Sequence, residues 1–379
     1  MSTPRNILLT NSSDIYGGGE FYVLELAKEL RARGNSIWVV CKPNNLLHEK
    51  CESAHIPTIP LDFPPQGQFV KFIRWLRKIT RKNHIDIVHT NSNYDRTAGG
   101  FAARMAGVRH VTNVHSFHSL QHNLTHWVRN HAATDHFIVD GYCVKEMLIQ
   151  EDRLDASKIS VVYLGVDPSE MKRDETMRKK IRAEFTCPDD QIVIGNVARM
   201  VPFKGHEYLL KAFAELAKHS PGMRLVLVGD GELSENLSRL AHTLKIENQI
   251  IFAGFRDDLQ ALYSAFDIYV HPSIEGGGET FPFAILQALA QQLPVIVTRV
   301  GDVPAMVSDS INGFVVPDKD PSALAVRLGI LLHNESLRST MGTKSRALLL
   351  ERFTVSGMVD RVEEVYSRVL DGRKRSDSR

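Results

Sequence analysis

The stretch His271–Pro317, "HPSIEGGGETFPFAILQALAQQLPVIVTRVGDVPAMVSDSINGFVVP", decides how this chain folds. The apolar run "IYVHPS" leads into it, glycines at 276–278 break it, and "FAILQALAQQ" resumes as a helix. "PVIVTR" and "GFVVP" follow as short apolar runs. Strand, loop, helix and strand in that order make a parallel sheet, whose strands are apolar because both faces are covered. Glu279 ends the loop, and backbone N–H groups around Thr280, Phe281, Pro282 and Phe283 open the helix, where the positive terminus favours an anion. A carboxylate should not face a phosphate there. It is better suited to accept hydrogen bonds from neutral hydroxyls, as on a sugar.

The same alternation extends in both directions. Upstream lie "IVIGNVAR", "RLVLVGDG" and "QIIFAG", separated by the helical stretches "EYLLKAFAELAK" and "LSENLSRLAHTLK". The first half repeats the scheme with "NILLTN", "SIWVVC", "DIVHTN", "RHVTNVHS" and "HFIVD". Between the halves, the charged "KRDETMRKKIRAEF" reads as the connection. The expected division is therefore 1–170 and 171–350, two α/β domains, with a C-terminal helix and tail over 351–379. That helix reads as one amphipathic element from "ESLRSTMGTKSRALLLERF" through "VDRVEEVYSRVL", with "DGRKRSDSR" as a disordered tail.

Composition excludes several function classes. The 379 residues suit two cores, and 43% hydrophobic with 24% charged residues describes an ordinary globular chain. A net charge of +2 offers no global field for nucleic acid. Cys41, Cys51, Cys143 and Cys187 form no C-x-x-C pair, which argues against a disulfide framework and for a reducing, cytoplasmic compartment. No apolar run approaches the roughly 20 residues that span a bilayer. Neither half opens with G-x-G-x-x-G, which disfavours a nicotinamide-dependent dehydrogenase.

Two further stretches carry chemistry. In "NVARMVPFKGHEYLLKAF", Arg199 and Lys204 fall on the loop beyond a strand's carboxyl end, the edge where open α/β sheets bind ligands. Two cations beside Gly205 and a helix start make a phosphate site, although solvated surface charges are the commoner use of Arg and Lys. The tetrapeptide of Gly276–Glu279 also occurs as Gly17-Gly18-Gly19-Glu20, again between a strand and a helix.

These elements together resemble the family 4 retaining glycosyltransferases. The matching features are Arg199 with Lys204-Gly205, an E-x7-E-like element from Glu279, "LPVIVT" at Leu293–Thr298 and "NGFVVP" at Asn312–Pro317. The corner with Glu20, "VHS" around His115 and "YLGVD" ending in Asp167 are similar as well. The resemblance implies the GT-B architecture: two Rossmann-like domains facing across a cleft, with the C-terminal helix crossing back to the N-terminal domain.

It also implies roles. Arg199 and Lys204 would bind the donor's diphosphate in place of a metal ion, so that no metal or other cofactor is expected. Glu279 would hold donor-sugar hydroxyls, with Thr280, Phe281, Pro282 and Phe283 binding the donor through the backbone. His115 would lie near the donor sugar, and Gly18 and Gly19 would allow close approach of phosphate or acceptor. The second acid of E-x7-E falls on Gln287, which keeps an acceptor oxygen for the nucleotide ribose but loses the charge.

The implied activity is transfer of a sugar from a nucleotide-diphosphate donor to a glycan or lipid-linked acceptor, in polysaccharide or lipopolysaccharide synthesis. A catalytically impaired partner subunit and a sugar-nucleotide epimerase are the alternatives.

Three other features carry weaker signals. His118, His122 and His126 would share one face if helical, a metal-like spacing within the row from His110 to His136. "DKD" at Asp318–Asp320 reads as a solvated helix start. Residues 69–82, "FVKFIRWLRKITRK", carry Lys71, Arg74, Arg77, Lys78, Arg81 and Lys82 with no acid, interleaved with Phe69, Phe72, Ile73, Trp75, Leu76 and Ile79. Such a helix suits either packing on a sheet or contact with an anionic membrane, here the inner face of the cell membrane.

Overall fold

The computed structural model describes residues 3–14, 16–63, 69–115, 117–120, 123–220 and 222–376. It divides the chain into two compact units, one of Met1–Gly165 with Val355–Arg379, the other of Val166–Thr354.

The first unit runs β1 (Asn6–Thr10), α1 (Gly18–Ala32), β2 (Ser36–Cys41), α2 (Leu46–Ser53), β3 (Thr58–Pro60), α3 (Phe69–Lys82) and β4 (Ile87–Thr90). It continues with α4 (Asn93–Ala106), β5 (Arg109–Val114), α5 (Leu124–Val128), β6 (His136–Val139), α6 (Tyr142–Gln150) and β7 (Ile159–Val161). The strands form one sheet in the order β3-β2-β1-β4-β5-β6-β7. Its pairs are parallel. Leu8, Val40 and Val88 pack with Phe72, Leu76, Ala98 and Ala102, which places the apolar faces of α3 and α4 on one side of this sheet.

The second unit holds α7 (Glu175–Glu184), β8 (Ile192–Val197), α8 (His206–Ala217), β9 (Met223–Val228), α9 (Ser234–Thr243), β10 (Ile250–Gly254) and α10 (Leu259–Ala265). Then come β11 (Ile268–His271), α11 (Phe283–Ala290), β12 (Val295–Thr298), β13 (Gly313–Val316), α12 (Pro321–Leu332) and α13 (Glu335–Arg352). The sheet order is β10-β9-β8-β11-β12-β13, again parallel in its pairs. Ile194, Leu225, Leu227, Val270 and Ile296 meet Leu209, Phe213, Leu324 and Leu328 in its core.

In each sheet the strand order reverses once, between β1 and β4 and between β8 and β11. A crevice opens at such a switch point beyond the carboxyl ends of the strands. The candidates Gly18, Gly19, His115, Arg199, Lys204 and Glu279 lie on segments that leave those ends or begin the helices after them.

The structure corrects the sequence reading in four places. The charged connection around 172–185 is the helix α7 of the second unit, capped by Asp174, which accepts from Met177 N at 2.8 Å. Two of its charges are structural: Arg182 is fully buried and, with the half-buried Arg178, binds Asp267 at 2.5 and 2.6 Å. The expected boundaries at 170/171 and 350/351 fall instead after Gly165 and after Thr354. The single long C-terminal helix is two, α13 and α14 (Val355–Ser376), separated at Phe353-Thr354 because Phe353 turns inward onto Phe281, ring centroids 5.5 Å apart. The tail expected to be disordered continues α14 as far as Ser376.

α14 docks on α1 in the first unit. Arg33 binds Asp360 and Glu363 at 2.6 and 2.9 Å, and Arg5 donates to Ser367 Oγ at 2.7 Å. At the base of the second unit, Val166 N donates to Phe353 O at 3.0 Å, and Val166 bridges Thr354, so the two linking strands of chain run side by side.

Candidate functional site

The second unit gathers its candidates at the ends of β8 and β11. After β8 the chain passes Arg199, which is exposed, then a single turn of 3-10 helix at Pro202–Lys204 and Gly205. Gly205 sits at φ +67°, and a Cβ there would stand 2.0 Å from the Pro272 carbonyl oxygen. Only glycine lets this loop lie against the end of β11, which brings Lys204 to the glutamate.

Glu279 is nearly buried, and three donors converge on its Oε2. The Lys204 ammonium binds it, His271 Nε2 lies at 3.0 Å, and Ser273 Oγ donates at 2.6 Å. Burial alone would raise this carboxyl, but Lys204 and His271 hold it well below the usual carboxylate range. Oε1 takes no hydrogen bond from any described residue. Burial pushes the His271 imidazole down against the pull of Glu279, and its Nδ1 lies 3.2 Å from the Tyr269 hydroxyl. The sequence reading missed His271 and Ser273. Their signal was "HPS" at a strand's carboxyl end, where polar residues following an apolar run read as the approach to a ligand.

Beyond Glu279, Thr280 and Phe281 are buried, and Pro282 is the N-cap of α11 at φ −72°. Pro282 has no N–H, so the expected row of four backbone donors is interrupted there; proline instead presets the helix entry. Gln287 is buried on α11, and its amide meets no hydrogen-bond partner among the described residues.

The first unit holds Gly18, Gly19 and His115. Glu20 turns back to accept from Gly17 N at 2.8 Å and takes Asn11 Nδ2 at 3.0 Å, so it closes the start of α1. His115, just past β5, lies with Nε2 3.3 Å from Asn113 Nδ2 and Nδ1 3.6 Å from Asp140 Oδ2. The Tyr22 ring packs edge-on against it at 5.0 Å. Asp167 turns its carboxylate to Ser169 N and Oγ at 2.7 and 2.6 Å.

The histidine row is not one helical face. α5 covers only Leu124–Val128, His118 precedes it, and His122 lies outside the described residues. His110 and His136 are buried strand residues, bonded to Thr90 and Ser160 and pushed down by burial to about 3 and about 4. Among the described residues no three His, Cys, Asp or Glu stand close enough to hold a metal ion. Asp320 caps α12 by accepting from Ala323 N at 2.9 Å, and Asp318 accepts from Glu275 N at 3.0 Å.

Residues 16–170 match the family described as Glycosyltransferase Family 4, and 177–348 match Glycosyl transferases group 1. A UDP-Gal:alpha-D-GlcNAc-diphosphoundecaprenol alpha-1,3-galactosyltransferase of Escherichia coli is 30% identical over 314 residues, 77% of each chain. A glycosyltransferase structure from Rickettsia africae superposes with a TM-score of 0.87 at 22% identity, over 97% of this chain and 99% of that one. Anabaena HepE in complex with UDP-glucose superposes with a TM-score of 0.84 at 24% identity, over 96% of this chain and all of that one.

Proposed function

This chain belongs to the family 4 glycosyltransferases, of GT-B architecture, and from that premise we propose how its residues divide the work. The protein is a retaining glycosyltransferase that moves a sugar from a nucleotide-diphosphate donor to a glycan or lipid-linked acceptor, in polysaccharide or lipopolysaccharide synthesis. The observation that carries the assignment of roles is the cluster of Lys204, His271 and Ser273 on one oxygen of Glu279.

That cluster answers the objection to a carboxylate beside phosphate. Lys204 neutralises Glu279, so the pair adds no net negative charge, and Arg199 leaves the loop positive. Lys204 and Arg199 stabilise the diphosphate as charge develops on its departure, without a metal ion. Glu279, fixed through Oε2, offers Oε1 to a donor-sugar hydroxyl. Thr280, Phe281 and Phe283 donate backbone N–H groups, and Gln287 takes the ribose. His115 acts near the reacting sugar, and Gly18 and Gly19 admit close approach of ligand. The donor is a UDP-hexose, supported by the UDP-sugar named for the Escherichia coli relative and the UDP-glucose bound by Anabaena HepE.

The test is incubation with UDP-glucose, UDP-galactose, UDP-N-acetylglucosamine and GDP-mannose without acceptor, with and without EDTA. Slow nucleotide release from one UDP-sugar, unchanged by EDTA, is expected. No release from any donor would return the inert partner-subunit alternative.

No helix among the described residues is long and apolar enough to cross a membrane. We also propose peripheral contact through α3. Phe72 and Leu76 are committed to the core, while Lys71, Arg74, Lys78, Arg81 and Lys82 are exposed. The contact is therefore electrostatic rather than inserted. Flotation with anionic but not with neutral liposomes is expected, and equal behaviour in both discards it.

A further inference from the structure

A chain of buried polar groups connects the C-terminal helix to His115. The Tyr366 hydroxyl, on α14, lies 2.6 Å from His89 Nδ1 on β4. His89 Nε2 lies 2.8 Å from Asn113 Oδ1 on β5, and Asn113 Nδ2 lies 3.3 Å from His115 Nε2. His115 Nδ1 faces Asp140 Oδ2 at 3.6 Å. Tyr366, His89 and Asn113 are at most 2% exposed.

The charge at the His115 end orders the hydrogen bonds of this chain. Asp140 Oδ2, 3.6 Å from Nδ1 and so a charge contact rather than a hydrogen bond, favours the tautomer that turns an N–H toward it over one that turns a lone pair. In the neutral ring Nε2 is then bare and must accept, so Asn113 presents its Nδ2 donor there and its Oδ1 to His89. Oδ1 requires a donor, so His89 carries its proton on Nε2. Burial pushes His89 down to about 4, against the opposing pull of Asn113, so it is neutral at pH 7 and its Nδ1 is an acceptor. Only the Tyr366 hydroxyl is left to donate to it. The alternative, with Asn113 reversed, would point a lone pair of His115 at Asp140.

We infer that Tyr366, His89 and Asn113 are positioning residues that fix the tautomer and ring orientation of His115. Tyr366 is the member that reaches the site only through the others. The cost of an unmade hydrogen bond at a buried imidazole gives the relay its force. This inference rests on the reading of His115 as a residue acting near the reacting sugar.

The experiment is a double-mutant cycle on Tyr366→Phe and His115→Ala. The readout is nucleotide release from the fastest-hydrolysed sugar nucleotide of the panel above, with melting temperatures recorded for each protein. Tyr366→Phe alone is expected to lower kcat about five- to twentyfold with KM within about twofold, the scale of one buried hydrogen bond. In the His115→Ala background it is expected to change kcat by less than about twofold. Equal losses in both backgrounds would mean a merely structural tyrosine and overturn the relay. No loss in either, while His115→Ala is itself impaired, would overturn it too. Wild-type turnover in His115→Ala would instead overturn the reading of His115 on which the relay depends. A second pair guards against misfolding. His89→Gln can still accept from Tyr366 and donate to Asn113, and should retain most activity, whereas His89→Leu should lose it; equal activity in the two overturns the inference.

Discussion

The tetrapeptide Gly-Gly-Gly-Glu is used twice in this protein, and the two copies do opposite things. At Gly17–Glu20 the backbone is ordinary: Gly17 is extended at φ −144°, and α1 begins at Gly18. A Cβ on Gly19 would meet nothing nearer than His115 Cδ2, at 3.8 Å. The glutamate accepts from the backbone N–H of the N-cap Gly17 and so closes its own helix start. At Gly276–Glu279 two glycines lie at φ +90° and +83°, and a Cβ on Gly277 would fall 1.8 Å from Phe203 Cβ. The glutamate there is taken by side chains and precedes its helix by several residues. The second corner needs glycine for its own packing. In the first corner the protein's own atoms do not require it at Gly19, so a requirement there would come from a ligand.

The largest expected effect is at Lys204. Lys204→Ala should lower turnover of the sugar nucleotide by about a hundredfold to a thousandfold, the scale of one lost electrostatic contact in the transition state. The melting temperature should fall as well, because the variant leaves Glu279 buried with only His271 and Ser273. Wild-type turnover would break the assignment of the second corner.

Next, Gly277→Ala should destabilise the protein by about 1–3 kcal/mol in urea titration, since an added methyl drives into Phe203. Gly19→Ala should leave stability within about 0.5 kcal/mol yet reduce turnover. If Gly19→Ala proves both stable and fully active, the first corner is only a helix start.

Acid should loosen both units, and here the comparison predicts no difference. In the first, burial pushes His89, His110 and His136 down to about 4, 3 and 4. Their folded values lie below the unfolded 6.5, so between pH 6.5 and about 4 the unfolded chain binds more protons, and stability falls as pH falls. Each histidine contributes about 1.4 kcal/mol per pH unit. In the second unit burial likewise pushes His206 down to about 3 and His271 down against the pull of Glu279. In the first unit burial also pushes Asp95 up to about 7, and a raised carboxyl favours the folded state as pH falls, which offsets one of the three histidines. Hydrogen exchange in β4, β5 and β6 should therefore rise together with that in β8 and β11 as pH drops from 7 to 5, read by mass spectrometry on the whole chain.

The smallest effect concerns Gln287. If its amide meets the ribose, Gln287→Glu should tighten UDP binding by about threefold to thirtyfold in calorimetry, because a charged acceptor bonds more strongly than a neutral one. Weaker binding would assign Gln287 to a rearranged pocket.

Much of this was legible in the sequence for a physical reason. Strands buried on both faces write themselves as apolar runs, and ligand residues fall where those runs end. What the sequence hid depended on partners far along the chain. α7 looked like a connection because Asp267, which binds Arg178 and Arg182, lies more than eighty residues away. β3 is three residues long and was too short to read. The break at Phe353 follows from Phe281, not from any local helix breaker. Glu279 was found, but not the donors that hold it, because their convergence is a property of the folded loop.

The twofold passage of the chain between units has a consequence for its birth. The first unit is discontinuous: its sheet ends at Val161, yet α14, with Asp360, Glu363 and Tyr366, comes only after the whole second unit. During synthesis from the amino terminus, Arg33 and His89 must wait for partners 327 and 277 residues downstream. The second unit, contiguous from Val166 to Thr354, has all its residues in hand earlier. On the ribosome, the half made first is the half finished last.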